Sequence, residues 1–496
     1  MDKSEVRKEA IKNWLKKKEN LLLVGILVFA FVIRWYYFIL TKVQPLWWDE
    51  AAYGSLAKSW AYGLWSNADV IVGETLIRPP LFPMIWSVLV SLGVGEVGVR
   101  FLLEFVPSVF TIFAVYLIGK EMHSRNVGLI SAFIFSVLWI HLFYTARLLT
   151  HVPALPLLFF GIYFFFKSMK EEFIAKYFII GMLLVGFNTL MRYPEGLAFF
   201  AFFLFIILTG KLKLFKEKKF WLAGIIGMAP VILFFLYNFA TKGNIFPALL
   251  GSEYMVQMKN PFAFSLLNYI PAYLTTLLFI PFLIGFAVAL FQIGIGYDFI
   301  SKKKELKGNL LLILLLIVVF SYFIFQIRGA EDRWLFSVSI SMVYFSALGM
   351  NFFYEQFPKY KKILAVILIG ILAIGAYNQL NYADDLIKSK KDSFLQIRQG
   401  FEWLGENTPK DSKVMGAGIQ VYSLYYAEKE YEVMPKNDTY LPHEFDTRYL
   451  VVHGFTEQPE YINDYLSNNQ DKWRVVNVFF LDEAKTQPIF VVYERI

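Results

Sequence analysis

The chain has 496 residues, of which 57% are hydrophobic, 19% aromatic and only 18% charged, and its mean hydropathy is +0.50. That leaves too little polar surface to coat a soluble globule, so the composition is that of a polytopic membrane protein. The net charge of +8 does not point to nucleic acid, because the lysines come in short clusters between apolar runs, as in cytoplasmic loops; the absence of cysteine excludes disulfides, thiolate metal sites and cysteine nucleophiles.

A basic N-terminus carrying Lys3, Arg7, Lys8, Lys12 and Lys16 to Lys18 leads into the apolar run Leu21 to Leu40. About 20 helical residues cover roughly 30 Å, so this run spans a bilayer. It is too long for a signal-peptide core and lacks a small-residue cleavage site, which makes it a retained first helix. Next comes Trp47-Trp48-Asp49-Glu50-Ala51-Ala52-Tyr53-Gly54, two adjacent carboxylates beside tryptophans of the kind that settle at a membrane interface. The same stretch suits an ordinary helix start with Asp49 as its N-terminal cap.

Leu81 to Gly93, preceded by Arg78-Pro79-Pro80 and interrupted by Pro83, is apolar but too short to cross. If it lies on the surface, the basic clusters at Lys167 to Lys176, Lys211 to Lys219, Lys302 to Lys307 and Lys359 to Lys362 all fall on the side of the Lys-rich N-terminus. If it crosses, that pattern inverts, so the positive-inside rule favours a surface-lying helix within one external loop, 41–96. Further spans are expected near Val97 to Ile118, Val127 to Thr145, Val152 to Phe166, Tyr177 to Met191, Gly196 to Leu208, Phe220 to Phe239, Tyr269 to Ile295, Leu310 to Ile327, Trp334 to Phe353 and Ile363 to Leu380. With the first, these make about 11 to 13 membrane helices by the ~20-residue rule, and an odd count puts the C-terminus outside.

The expected division is a transmembrane domain over 1–382 and a soluble extracellular domain over 383–496, where the composition turns polar and charged. Phe401 to Asn407 and Pro459 to Ser467 read as helices, and Lys413 to Gly416, Tyr449 to His453, Trp473 to Leu481 and Ile489 to Tyr493 as strands, which makes a small α/β fold. Gly416-Ala417-Gly418 lacks the third glycine of a dinucleotide loop, so no nucleotide site is read there.

With the sides set by lysine, the cations that break the rule are largely arginines: Arg78, Arg147, Arg192, Arg328 and Arg333 all fall at external ends or in external loops. Arginine suits bidentate recognition of phosphate, although Asp49, Glu50, Glu195, Glu331 and Asp332 on the same face could pair with part of the set. Arg34, and Arg100 with Glu104, read as structural charges inside the bundle. His141 and His151 flank Arg147 without a second ligand at zinc spacing, so no metal site is assigned. Paired carboxylates at a membrane surface, a short amphipathic helix and several arginines suit glycosyl transfer from a lipid-linked sugar phosphate. Its leaving group is already a stable phosphate ester, so one base and one cationic clamp suffice.

The chain resembles the GT-C membrane glycosyltransferases, in particular the branch of protein O-mannosyltransferases and aminoarabinose transferases. Asp49-Glu50 is similar to that family's first-loop acidic signature, and Arg78-Pro79-Pro80-Leu81 to the lead-in of its interfacial helix. Gly95-Glu96 with Arg100, Tyr144-Thr145-Ala146-Arg147, Met191-Arg192-Tyr193-Pro194, Tyr237-Asn238 with Phe246-Pro247, and Glu331-Asp332-Arg333-Trp334-Leu335 follow in order. The resemblance implies a helical bundle over a lipid-facing cavity, a polyprenyl or dolichyl monophosphate sugar as donor, a glycan, lipid or protein hydroxyl as acceptor, and inversion at the anomeric carbon. It makes Asp49 the catalytic base, with Glu50 beside it, and Arg78, Arg192, Arg333 and Arg147 donor-phosphate ligands. Tyr53, His151 and Glu331 are then pocket residues. No cofactor is expected to be required, with dependence on a divalent metal left open; His151 stands where many relatives have Asp, which argues against a metal ligand there. The alternative from another class is a secondary transporter or a flippase of a glycolipid, which would favour sequence repeats and polar sites near the bilayer midplane.

Overall fold

Apolar length decides most of the architecture. In the computed structural model, which describes residues 9, 13, 16–63, 78–145, 147–243, 245, 262–300, 302–436 and 446–496, eight helices are long and apolar enough to cross a membrane, from Lys18–Thr41 to the stretch Pro358–Asn407. Three shorter apolar helices, Arg125–Val137, Ala175–Met191 and Tyr193–Leu208, fill the remaining expected spans. Lys3, Arg7, Lys8, Lys12 and the Phe246-Pro247 pair lie outside the described residues. The chain divides into two compact units, one made of 1–42, 100–146 and 150–388 and the other of 43–99, 147–149 and 389–496.

The first unit is a helical bundle. Its most extensive helix contact joins Tyr269–Gly296 to Ser339–Gln356, and glycine makes it possible. A Cβ at Gly285 would collide with the Phe345 carbonyl, and one at Gly349 with the Pro281 carbonyl. Bilayer helices have no hydrophobic force drawing them together, so such small residues let backbones approach and gain dispersion contact. Gly119 and Gly128 do the same between Val106–Met122 and Arg125–Val137.

One expected helix is broken. Val127 to Thr145 splits into Arg125–Val137 and Trp139–Tyr144, because Leu138 adopts extended backbone (φ −60°, ψ 113°). No proline or glycine marks the break. Instead, side chains take up the polar groups it exposes: fully buried Arg34 donates to the Ser136 carbonyl at 2.8 Å, and the Gln379 amide oxygen accepts from Trp139 N–H at 2.8 Å. Arg34 also meets His141 Nδ1 at 2.9 Å, which bears out its reading as a structural charge. Arg100 and Glu104 are both fully buried. Glu104 lies within the π-helical turn Phe101–Phe105 that begins directly after Arg100.

The second unit contains the short helix Leu81–Ser91, whose Pro83 sits in the first turn, where the missing N–H would have had no helical partner. Phe82 and Trp86 are buried while Met84 and Val88 are exposed, so an apolar face is left uncovered. The unit also holds a five-stranded sheet in the order β2-β1-β3-β5-β4. Its strands are β1 Val414–Gly416, β2 Tyr431–Val433, β3 Tyr449–His453, β4 Trp473–Phe480 and β5 Pro488–Arg495. β1 pairs in parallel with β2 and β3, while β5 is antiparallel to β3 and β4. Met415, Met434, Leu450, Ile462, Tyr465 and Trp473 form a core on one face, and Phe401 of helix Leu395–Asn407 packs edge-on against Phe490. The expected strands and helices of this region are all present. β2 adds a strand that three residues of sequence could not announce.

Candidate active site

The acidic pair sits at the start of helix Trp48–Tyr62, and its two members do different things. Glu50 occupies the third helical position and accepts the Trp47 N–H at 2.6 Å, so Glu50, not Asp49, caps this helix with its side chain. It is fully buried, and Arg147 Nη1 lies 3.8 Å from its carboxylate. Arg147 is itself buried; it stacks on the Trp47 ring at 3.9 Å and donates to the Lys390 carbonyl at 3.1 Å.

Asp49 is the accessible member, with 28% of its side chain exposed. Both terminal nitrogens of Arg78 address its Oδ1 at 3.3 Å, and the Arg78 guanidinium lies over the Tyr53 ring at 4.9 Å. Asp49 and Tyr53 are four residues apart and therefore share a helix face, so one side of this helix presents the carboxylate and steers its counter-ion. Burial by itself lowers the Arg78 pKa, but the Tyr53 phenol and the Asp49 carboxylate outweigh it and raise the guanidinium above its usual value.

Sequence reasoning missed the tyrosines that close around this helix. Tyr422 meets Trp48 edge-on, and burial together with the negative charge of Glu50 pushes its phenol up, so it stays a neutral hydroxyl. Tyr425 leans so closely on Gly54 that a Cβ there would strike its ring and that of Trp86, while its hydroxyl donates to Glu96 at 3.0 Å. The Tyr426 hydroxyl accepts from Leu46 N–H at 2.8 Å. The only cue was the run Tyr422-Ser423-Leu424-Tyr425-Tyr426, too far along the chain to be connected with Asp49 by spacing.

The other candidates lie in the first unit. Arg192 is buried and ion-paired with Glu195 at 2.5 Å. Arg333 is partly exposed and pairs with Glu331 at 2.6 Å. The buried His151 ring packs near Tyr144 and Phe336, within electrostatic reach of Arg192 and Arg333. The Tyr144 hydroxyl meets Asp332 Oδ1 at 3.4 Å and that of Tyr273 donates to the Asp332 carbonyl. Beside the turn Tyr193–Gly196 lies a cavity of about 300 Å³, walled by Tyr193, Leu197, Phe200, Val231, Phe234 and Asn238. The structure thus gathers Asp49, Glu50, Tyr53, Arg78 and Arg147 into one cluster and His151, Arg192, Glu331 and Arg333 into another. Each of the four candidate arginines has a carboxylate partner. Among the described residues no three acidic or histidine side chains gather as metal ligands do.

Residues 77–237 match the model of the dolichyl-phosphate-mannose-protein mannosyltransferase family, a segment that includes Arg78, Arg147, His151 and Arg192. No curated protein sequence gives a match. Among solved structures, ArnT from Cupriavidus metallidurans bound to undecaprenyl phosphate aligns over 95% of this chain and 97% of its own, at 11% identity and a TM-score of 0.60. The archaeal oligosaccharyltransferase AglB from Archaeoglobus fulgidus, in complex with an inhibitory peptide and a dolichol-phosphate, aligns over 97% of this chain and 74% of its own, at 13% identity and a TM-score of 0.59. The arabinofuranosyltransferase AftD from Mycobacteria aligns over 96% and 40%, at 11% identity and a TM-score of 0.58. The fold of the chain is thus similar to that of these membrane glycosyltransferases, and its residues 77–237 carry the signature of the dolichyl-phosphate-mannose-protein mannosyltransferase family.

Proposed function

We propose that the protein transfers a sugar from a polyprenyl or dolichyl monophosphate to a hydroxyl of a glycan, lipid or protein at the external face of the membrane, with inversion at the anomeric carbon. The observation that carries this reading is the accessible Asp49 carboxylate held by Arg78. In the transfer, Asp49 takes the proton of the acceptor hydroxyl as that oxygen bonds to the anomeric carbon. The bond from that carbon to the phosphate oxygen breaks, and its electron pair leaves with the lipid phosphate. Arg78 balances the charge that collects there.

A donor phosphate competes with Asp49 for Arg78, so donor binding shifts the guanidinium toward the leaving group. The enclosed Arg147, at 1%, serves to position Glu50 and the Trp48–Tyr62 helix start. The apolar cavity beside Arg192 supports a lipid donor, since a polyprenyl tail needs such a surface. ArnT bound to undecaprenyl phosphate and AglB in complex with a dolichol-phosphate point the same way.

Asp49→Asn is expected to abolish transfer from a lipid-linked sugar while the purified protein keeps its thermal unfolding profile; full activity in that variant would remove Asp49 as the base. Arg78→Ala should act chiefly by raising KM for the donor, and an unchanged donor response would take it out of the clamp. Because arginine supplies the counter-charge, transfer is expected to persist in excess chelator, and loss of activity restored by a divalent ion would overturn that part.

A further inference from the structure

The sheet carries a second, separate feature that the transfer reaction does not use. Strand order β2-β1-β3, with all three parallel, means that the chain leaves β1 to one side and returns to the other. In open parallel sheets such a reversal leaves a crevice beyond the carboxyl ends of the strands, where ligands bind. Here that position holds an open cleft of about 700 Å³. Its walls are the segments that follow the three strands: Ala417 and Gly418 after β1, Met434 and Lys436 after β2, and Thr456 to Tyr461 after β3.

The walls are specifically built. Gly418 in the cleft wall has φ +65°, a backbone conformation that favours glycine, and just before it a Cβ at Gly416 would meet the Tyr431 hydroxyl. The Ala417 carbonyl accepts from His453 Nε2 at 2.7 Å and from Thr456 Oγ1 at 3.1 Å, which ties the β1 and β3 rims together. Tyr461 is held by its hydroxyl's bond to the Pro435 carbonyl at 3.1 Å. Among the described residues, the buried Gln458 amide oxygen has no hydrogen-bond partner. A polar atom in that position costs free energy unless a ligand or water satisfies it.

The glycine pair suggests phosphate, but the chemistry of the walls does not. The helix that follows, Gln420–Tyr422, is only three residues long and makes no phosphate cradle. Glu457 and Glu460 outnumber Lys436 among the charged side chains of the cleft, which disfavours an anion. An aromatic ring, an amide, a hydroxyl and carboxylates around an open polar trough suit an uncharged, hydroxyl-rich ligand with one apolar face. We propose that this cleft binds a neutral saccharide chain. The proposal does not depend on Asp49 being the base.

The test uses the full chain in lipid nanodiscs without donor, titrated with free trisaccharides of mannose, glucose, galactose and N-acetylglucosamine and followed by saturation-transfer NMR. At least one is expected to bind, and Gln458→Leu, which removes one hydrogen-bonding side chain from a cleft wall, should weaken it about tenfold. Thr456→Val should weaken the same sugar. Failure of every trisaccharide to bind, or wild-type affinity in the Gln458→Leu/Thr456→Val double variant, would overturn the site. Binding seen only when the same sugar is carried on a lipid anchor would do so too. Because binding is read without transfer, neither outcome bears on the assignment of Asp49.

Discussion

At the scale of single residues, neighbouring carboxylates in the sequence turn out to be unlike. Asp49 is partly open and faces Arg78; Glu50 is enclosed, bonded to the Trp47 amide and close to Arg147. A buried ion pair costs desolvation that further interactions must offset; Arg147, 3.8 Å from Glu50, also stacks on the Trp47 ring and donates to the Lys390 carbonyl. Gly54 sets a third constraint, since Tyr425 and Trp86 occupy the space a side chain would need. Gly54→Val should cost about 1–3 kcal/mol by overpacking and reduce transfer by displacing the Asp49 helix. Thermal unfolding alongside activity reads both, and a variant unchanged in either would show that the contact is not tight.

At the scale of elements, close approach and hydrogen-bond tautomer make the sharper predictions. Gly349→Leu forces the helices Tyr269–Gly296 and Ser339–Gln356 apart against a backbone carbonyl, which cannot swing aside as a side chain can. Roughly 3 kcal/mol or more of destabilisation is expected, whereas Gly370→Leu, with no atom near its Cβ position, should leave the unfolding temperature almost unmoved. On β3, His453 donates from Nε2 to Ala417 and accepts the Phe455 N–H at Nδ1, 3.2 Å away. Protonation would put a second hydrogen where that donor already points. Burial pushes the His453 pKa down from 6.5 to about 4, with the Ala417 bond opposing. Above pH 6.5 the ring is neutral in folded and unfolded chains alike. Between about 6.5 and 4 only the unfolded chain takes up the proton, so stability falls with pH by up to about 3 kcal/mol. His453→Gln should remove this component from the acid unfolding curve of the sheet unit, and an identical pH dependence in the variant would refute it.

For the whole molecule, the lysine clusters predict an orientation with the N-terminus inside and the sheet unit outside. A chain without cysteine permits a direct measurement. Lys410→Cys, on the exposed surface of the sheet unit, should react with a membrane-impermeant maleimide on intact cells, while Lys303→Cys should react only after permeabilisation. The reverse labelling would place Asp49 on the wrong side for an external acceptor and end the proposed reaction as stated.

The sequence by itself determined the class of molecule, the membrane runs, the short helix after Arg78, most of the sheet and the position of the acidic pair Asp49-Glu50 just beyond the first membrane run. These follow from composition, run length and local periodicity, which act over a few turns of chain. The tertiary structure alone decided that the helix at Leu138 breaks, because the groups that stabilise the break, Arg34 and Gln379, are far away in sequence. It alone gave each candidate arginine a particular acidic partner and separated a capping Glu50 from an accessible Asp49. It also brought Tyr425 against Gly54 and opened the cleft beyond β1, β2 and β3. Partner choice among like charges depends on distances that folding sets across hundreds of residues, and no local pattern encodes them.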